Sequence, residues 1–400
     1  VVLRTRLSDR SRVLGVVAAV AAASLVAVPG VAIADSDPPG SVLSNYETAT
    51  GAVLGRDAGQ SSPIPGQPGK SLWVFGDTPI AVNGSVCDWC FIPGSTAAVS
   101  TNTPGKVPAG LSELPTPPAA PTLPNSDAPK VFLPNRTDLK LPGGAACGTD
   151  SYSASWVSGA TPGPDMPLRY NGISYNASKL VFLTYGTFCV TKSAMINEGF
   201  GATFYDPAAN TFVAPTTILG QTPDGTERPW QENLSSPIFS SDGYLYMYAT
   251  CSPFNCSGGG STTVVRTPVT GWNSGPSYQW AASASPTGGV TGWTSTPAQA
   301  VTVLPGQAAL TQVDVKSYPG HGLIMLGQTD FNGAYQKWTA SSPAGPWRAG
   351  SSGRLGECAT YTSNWCYAFT GHPELSTSTG TMVSYFRPDS SRMRMDVVPW

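Results

Sequence analysis

Charge is scarce in this sequence. Only 12% of its residues are charged, about half the ~25% of an ordinary soluble chain. The formal net charge is −2, which leaves no electrostatic case for nucleic acid as a partner. Histidine occurs twice and there is no Gly-x-Ser-x-Gly, so a Ser-His-Asp hydrolase is disfavoured. No phosphate loop, nucleotide or haem motif, coiled coil or amphipathic helix can be read. The single Cys-x-x-Cys, Cys87-Asp88-Trp89-Cys90, has no second Cys pair or His pair to complete a zinc site. The Phe91-Ile92-Pro93-Gly94 that follows it is a poor helix start for a thioredoxin-like motif.

Long apolar runs are also missing, except at the beginning. Arg4, Arg6, Arg10 and Arg12 form a basic head before an apolar stretch over 13–28, and Pro29-Gly30 then leads to Ala32-Ile33-Ala34. That order describes a secretory signal peptide cleaved after Ala34. The stretch is shorter than the ~20 residues that span a bilayer. The expected organisation is a signal peptide at 1–34, a polar lead at 35–44 and one domain over 45–400. That domain is expected outside the cytoplasm or at the cell wall, as a monomer with no membrane contact.

All eight cysteines lie beyond the signal segment, and an even count in an exported chain favours disulfides. Cys251–Cys256 and Cys358–Cys366 are the local pairings expected. The other four pair as Cys87–Cys90 with Cys147–Cys189, or crosswise.

Glycine (44) and proline (38) are abundant, which fits many turns and little helix. Five segments share one pattern: 70–78 (KSLWVFGDT), 179–186 (KLVFLTYG), 243–250 (GYLYMYAT), 322–329 (GLIMLGQT) and 380–387 (GTMVSYFR). Each opens with Lys or Gly and runs through β-branched and aromatic residues for about one strand length. One such strand per four-stranded blade gives an all-β, five-bladed β-propeller with long inter-blade loops. A two-sheet sandwich is the alternative. A Pro-rich stretch at about 101–150 (PTPPAAPTLP within it) is read as an insertion loop.

A short polar segment precedes each of these strands. The five are Gly55-Arg56-Asp57-Ala58-Gly59, Arg169-Tyr170-Asn171, Trp230-Gln231-Glu232-Asn233, Gln312-Val313-Asp314 and His372-Pro373-Glu374. In a propeller the innermost strands line the axis, so these segments are expected to converge on one pocket.

Several of these pieces resemble a known superfamily. Arg56-Asp57-Ala58-Gly59 followed by Leu72-Trp73-Val74-Phe75-Gly76-Asp77-Thr78 resembles the opening of a bacterial five-bladed propeller family. That family was long an uncharacterised domain and now includes endo-D-arabinofuranases. Ser236-Pro237-Ile238-Phe239 with Asp242-Gly243-Tyr244-Leu245-Tyr246, Ser342-Pro343-Ala344-Gly345-Pro346-Trp347 and His372-Pro373-Glu374-Leu375-Ser376 resemble blade signatures of the same superfamily. The resemblance covers about 45–400. It implies an exported glycoside hydrolase acting on a furanose-containing cell-wall polysaccharide, D-arabinan in particular, from within the chain. The Pro-rich stretch and the local cysteine pairs depart from the family pattern.

Such hydrolysis needs two carboxyl groups flanking one bond. Asp57, set between Arg56 and small residues, is the first candidate, and the resemblance also places a functional Asp there. Asp77, at the end of an apolar strand, is the second. Glu232 and Asp314 stand in reserve, and Glu198 reads as a loop residue. Arg56, Arg169, Asn171, Trp230, His372 and Trp89 are expected to bind sugar, whereas His321 is expected to be merely exposed. No cofactor is expected, although converging carboxylates and carbonyls would allow a structural Ca²⁺ on the axis. The alternative function is a non-catalytic propeller that binds glycan or a wall partner.

Overall fold

The computed structural model describes residues 41–43, 46–47, 53–82, 85–115, 129–139, 141, 145–148, 151–191, 195–220, 234–250, 262–304, 310, 312–359, 366–388 and 392–400. The expected signal peptide therefore lies outside the described residues. No helix among the described residues is long and apolar enough to cross a membrane.

Five antiparallel sheets follow one another along the chain as the blades of a propeller. Blade one contains Gln60–Pro63, Lys70–Phe75, Thr96–Thr101 and Ser112–Glu113, and blade two Tyr152–Pro162, Val181–Val190, Met195–Asp206 and Thr211–Gly220. Blade three has five strands, Leu234–Phe239, Tyr244–Thr250, Thr262–Pro268, Gln279–Ala284 and Val290–Thr294. Blade four is Gln312–Tyr318, Gly322–Gln328, Ala334–Ala340 and Arg348–Arg354. Blade five is Tyr367–His372, Gly380–Arg387 and Arg392–Pro399, completed by the early strand Ser41–Val42. The first strand of each of blades one to four, and Tyr367–His372 in blade five, lies innermost.

All five apolar segments found in the sequence are second strands. A second strand is buried on both faces, so it carries apolar side chains at every position instead of at alternate ones. Leu72 and Val74 pack with Val181 and Leu183 between blades one and two. Trp73 and Phe75, on the other face of the same strand, pack with Met382 and Met393 between blades one and five. Phe182 meets Trp272 edge-on between blades two and three at 5.6 Å, while Met325 joins Tyr248 between three and four. Leu326 joins Phe369 between four and five. Each fully buried large side chain contributes about 1.5–3 kcal/mol, so the seams supply most of the cohesion.

The Pro-rich stretch is not loop throughout. Ser112–Glu113 is the outer strand of blade one, and Val131, Phe132 and Leu133 are buried. Among the described residues two disulfides are formed, Cys147–Cys189 and Cys358–Cys366. Cys251 and Cys256 lie outside the described residues, as do the side chains of Cys87 and Cys90.

Candidate active site

The inner strands run in one direction. Hydrogen bonds between blades one and five join Asp57 to Tyr367, Gln60 to Thr370 and Ser61 to His372, in ascending order on both strands. The strands thus begin on one face of the disc, the upper face, and end on the lower one. Second strands run the opposite way and finish on the upper face. Asp57, just ahead of an inner strand, and Asp77, just after a second strand, therefore share that face.

Asp57 is the best-held acid there. Its Oδ1 accepts the Asp77 backbone N–H at 2.7 Å, and its Oδ2 accepts the Tyr367 hydroxyl at 2.7 Å across the seam with blade five. Its backbone also bonds to Asp77 and Gly76. Burial pushes the Asp57 carboxyl up to about 6, against the pull of the Tyr367 hydroxyl and the Asp77 amide. The residues that follow Asp57 and Tyr367 are both alanines in the left-handed region, Ala58 at φ 52° and Ala368 at φ 58°. Such a conformation costs about 1–2 kcal/mol per residue. The strain is concentrated where the two strands aim these side chains at each other, as it often is at functional sites.

Gly76 makes room for this carboxyl. A Cβ there would stand 2.5 Å from Asp57 Oδ1 and 3.1 Å from the Ala58 Cβ. Gly76→Ala is expected to push the carboxyl off its two donors, with a stability loss of about 1–3 kcal/mol. Urea unfolding and turnover measured on the same sample check this.

A second carboxyl on the upper face was not expected to matter. Glu198 is buried near the start of Met195–Asp206, the third strand of blade two. That strand runs parallel to the inner strand and so begins on the upper face. Glu198 sits at a register break beside Thr187 and Phe188, and a bulge of this kind re-aims a side chain. One of its carboxyl oxygens lies within 4.8 Å of the sulfurs of Cys147 and Cys189. Those sulfurs are joined to each other and are not available to a metal. Burial pushes Glu198 up to about 7, with the Ser153 hydroxyl opposing and Asp138 adding to the rise. The sequence signal was a lone acid heading the apolar run Gly-Phe-Gly-Ala-Thr-Phe-Tyr.

The other expected residues fall in different places. Arg56 is 1% exposed and bonds Glu113 at 2.9 Å. Its guanidinium lies 4.0 Å over the Phe75 ring, so it props the Asp57 turn from behind and is corrected from a sugar contact to a core residue. His372 is likewise corrected. It is fully buried, with Nδ1 at 2.6 Å from the Ser61 hydroxyl and Nε2 at 2.8 Å from Ser384, which leaves no ring nitrogen for a sugar. Burial holds its pKa well below the usual histidine value.

Arg169 and Asn171 belong to an exposed hairpin, Pro167–Tyr170 with Ile173–Asn176, that follows the inner strand of blade two on the lower face. That inner strand is Tyr152–Pro162, so the expected inner position of Arg169-Tyr170-Asn171 is corrected. Trp230 and Glu232 lie outside the described residues. Trp89 belongs to the upper-face hairpin Pro79–Val82 with Ser85–Phe91, but its side chain lies outside them too. His321 is exposed and stacks on Trp400 at 3.8 Å.

Asp314 does lie on the inner strand of blade four, but deeper. It accepts the Gly371 N–H at 2.8 Å and the Ser236 hydroxyl at 3.4 Å, with Lys316 at 4.0 Å. It thereby ties three blades together. Burial raises its pKa, and Lys316 opposes the rise. One already-bonded carboxylate beside an ammonium does not make the six or more oxygens a Ca²⁺ takes. The described residues at this level of the axis therefore do not fit that ion.

The fold is a five-bladed β-propeller whose upper face carries Asp57, Asp77 and Glu198. No family model and no curated protein matches the sequence. Among solved structures, a Bacteroides ovatus protein provisionally described as a hydrolase superposes with a TM-score of 0.52 at 19% identity, over 85% of this chain and 84% of its own. A GH43_1 enzyme from Xanthomonas citri complexed with xylose gives 0.43 at 10% identity, over 88% of this chain and 90% of its own. An exo-β-1,3-galactanase from Phanerochaete chrysosporium with β-1,3-galactotriose gives 0.42 at 12%, over 90% of this chain and 63% of its own. At these identities the likeness is one of fold.

Proposed function

We propose that this chain is a glycoside hydrolase whose reaction takes place on the upper face, with Asp57 and Glu198 as the working pair. The observation that carries the reading is the Asp57 carboxyl: buried, fixed by two donors from different blades, and raised to about 6. Enzymes separate the roles of two acids by giving them different environments. Between pH 6 and 7 Asp57 is the more ionised and Glu198, raised to about 7, the more protonated. Glu198 then gives its proton to the glycosidic oxygen as the C1–O bond breaks. Asp57 either attacks the anomeric carbon or takes a proton from the water that does. The substrate class comes from the sequence resemblance: a furanose-containing cell-wall polymer, D-arabinan, met outside the cytoplasm and cut within the chain. The two disulfides are compatible with that location.

The test is incubation with arabinogalactan and lipoarabinomannan, with analysis of the oligosaccharides released. A series of internal fragments is expected from the wild type. Binding without any release would replace the hydrolase with a glycan-binding propeller. The profile of kcat/KM against pH is expected to be a narrow bell with its limbs near 6 and 7. Glu198→Gln is expected to lower polymer cleavage by about 10²–10⁴-fold while sparing a nitrophenyl furanoside, whose leaving group needs no proton. If Asp77→Asn shows that pattern and Glu198→Gln does not, the acid is Asp77.

A further inference from the structure

The lower face has a cavity of its own. The closing residues of four inner strands, with Pro373 and Glu374 just beyond the fifth, surround a space of about 440 Å³, within the ~300–1,000 Å³ of small-ligand sites. None of Asp57, Asp77 or Glu198 lines it.

Two charged groups line it, Lys316 and Glu374, with hydroxyls and the Gln60 amide beside them. The Ser61 hydroxyl donates to Glu374 Oε1, and so does Ser71 at 3.2 Å. Because the Ser61 proton goes to Glu374, the Ser61 oxygen accepts from His372 Nδ1, and His372 Nε2 accepts from Ser384. Ser384, His372, Ser61 and Glu374 thus form one hydrogen-bonded chain. It is not a nucleophilic triad, since the serine proton points to the acid instead of the imidazole. Glu374 Oε2 is buried and has no hydrogen-bond partner among the described residues. Lys316 Nζ is already engaged, donating to the Gly371 carbonyl at 2.8 Å and the Ser61 carbonyl at 3.4 Å. Ile238, Phe239 and the rings of Pro63, Pro162, Pro237 and Pro373 make the rest of the wall largely apolar.

This chemistry selects its ligand. An anion would meet the Glu374 carboxylate and find the one nearby ammonium already bonded. A hard cation would find a single carboxylate next to that ammonium, far short of its usual oxygen shell. A neutral molecule with hydroxyl donors on its edge and C–H groups on its face satisfies both kinds of wall. We propose that the lower-face cavity is a second, non-catalytic binding site for a neutral sugar unit, with the hydroxyls of Thr161 and Ser317 and the edge of the Glu374 carboxylate meeting its hydroxyls and the proline and Phe239 faces covering its ring. The proposal does not rest on the hydrolase reading, since the two faces share no residue named for either role.

The test uses the full chain, with D-arabinose, D-galactose and arabinogalactan as probes for a free sugar and a polymer-borne one, and saturable binding followed by NMR titration. Ser317, exposed at the cavity wall, offers a way to fill the space without disturbing the core. Ser317→Trp is expected to remove one saturable sugar site, weakening that binding at least tenfold, with hydrolysis of a small nitrophenyl furanoside within twofold of wild type. Glu374→Gln is expected to weaken the same site several-fold, and Asp57→Asn to leave it intact. Unchanged binding in Ser317→Trp, loss of this site in Asp57→Asn, or no saturable binding of any probe to the wild type would overturn the proposal. A hydrolase that fails on every furanoside while Ser317→Trp still loses a sugar site would sink the catalytic reading alone.

Discussion

Asp57→Asn is expected to abolish furanoside hydrolysis, by at least about 10³-fold, and at the same time to raise the stability of the protein at neutral pH. The two effects have one origin. Burial moves the Asp57 pKa from 3.8 to about 6, so the folded state prefers the protonated acid. The sign follows from linkage: the group's stabilising contribution is complete below pH about 4 and is lost as pH rises through 6. At pH 7 the ionised carboxyl costs on the order of 3 kcal/mol relative to its protonated form. An asparagine keeps the acceptor for the Asp77 amide and presents an N–H₂ to the Tyr367 oxygen, with no charge to bury. Urea midpoints measured from pH 4 to 7 should fall more steeply for the wild type than for the variant, which keeps only the fall due to the other raised acids, Glu198 among them. A variant less stable than wild type at pH 7 would mean that Asp57 is a structural acid, and the site would have to be sought elsewhere on the upper face.

Asp314 is expected to behave in the opposite way. Replacing it with Ala removes the acceptor of the Gly371 amide and the Ser236 hydroxyl and the counter-charge of Lys316. Breaking a buried arrangement of this kind costs about 3–5 kcal/mol, which should appear as a large drop in the urea midpoint. Asp314→Asn retains an acceptor for Gly371 and should lose less. In both variants, turnover per folded molecule on a nitrophenyl furanoside is expected within twofold of wild type. A loss of turnover in a folded Asp314→Asn protein would return this residue to the catalytic pair.

These two acids show how far the sequence could be read. The five second strands were legible because burial on both faces writes an unbroken apolar run, as in Leu72-Trp73-Val74-Phe75. Asp57 and Asp314 were legible because charge is so rare that an acid beside such a run stands out. The inner strand of blade two was not. Tyr152–Pro162 is made of Ser, Ala and Gly in most of its length, and its Gly159 has no room even for a Cβ, which would meet Pro237 Cδ at 2.4 Å. Close approach of neighbouring strands leaves no room for the large polar side chains that mark the other inner segments, and the conspicuous polar run of this blade is instead the Arg169 hairpin. Glu198 leaves little trace for a related reason. Its burial depends on a register break and on a disulfide that closes from Cys147, far away in the sequence. Neither leaves a mark on the residues next to it. His372 and Arg56 were found, but as ligands of sugar, because sequence shows that a polar group is present and not which protein atoms already use it.

The strand that completes blade five is only two residues long, with Ser41 opposite Met395 and Val42 opposite Arg394. Leu43 extends it by one more bond, to the Met393 carbonyl at 3.1 Å, and buries its side chain in the seam with blade one. Were this clasp to open, the ladder of Arg392–Pro399 would lose its cover and become an edge that any matching strand can join. The segment best matched to it is the same segment of a second molecule. Exchange of that segment between two copies would give a swapped dimer in which each ring is fastened by the other, so concentrated or gently warmed protein is where such dimers should first be looked for.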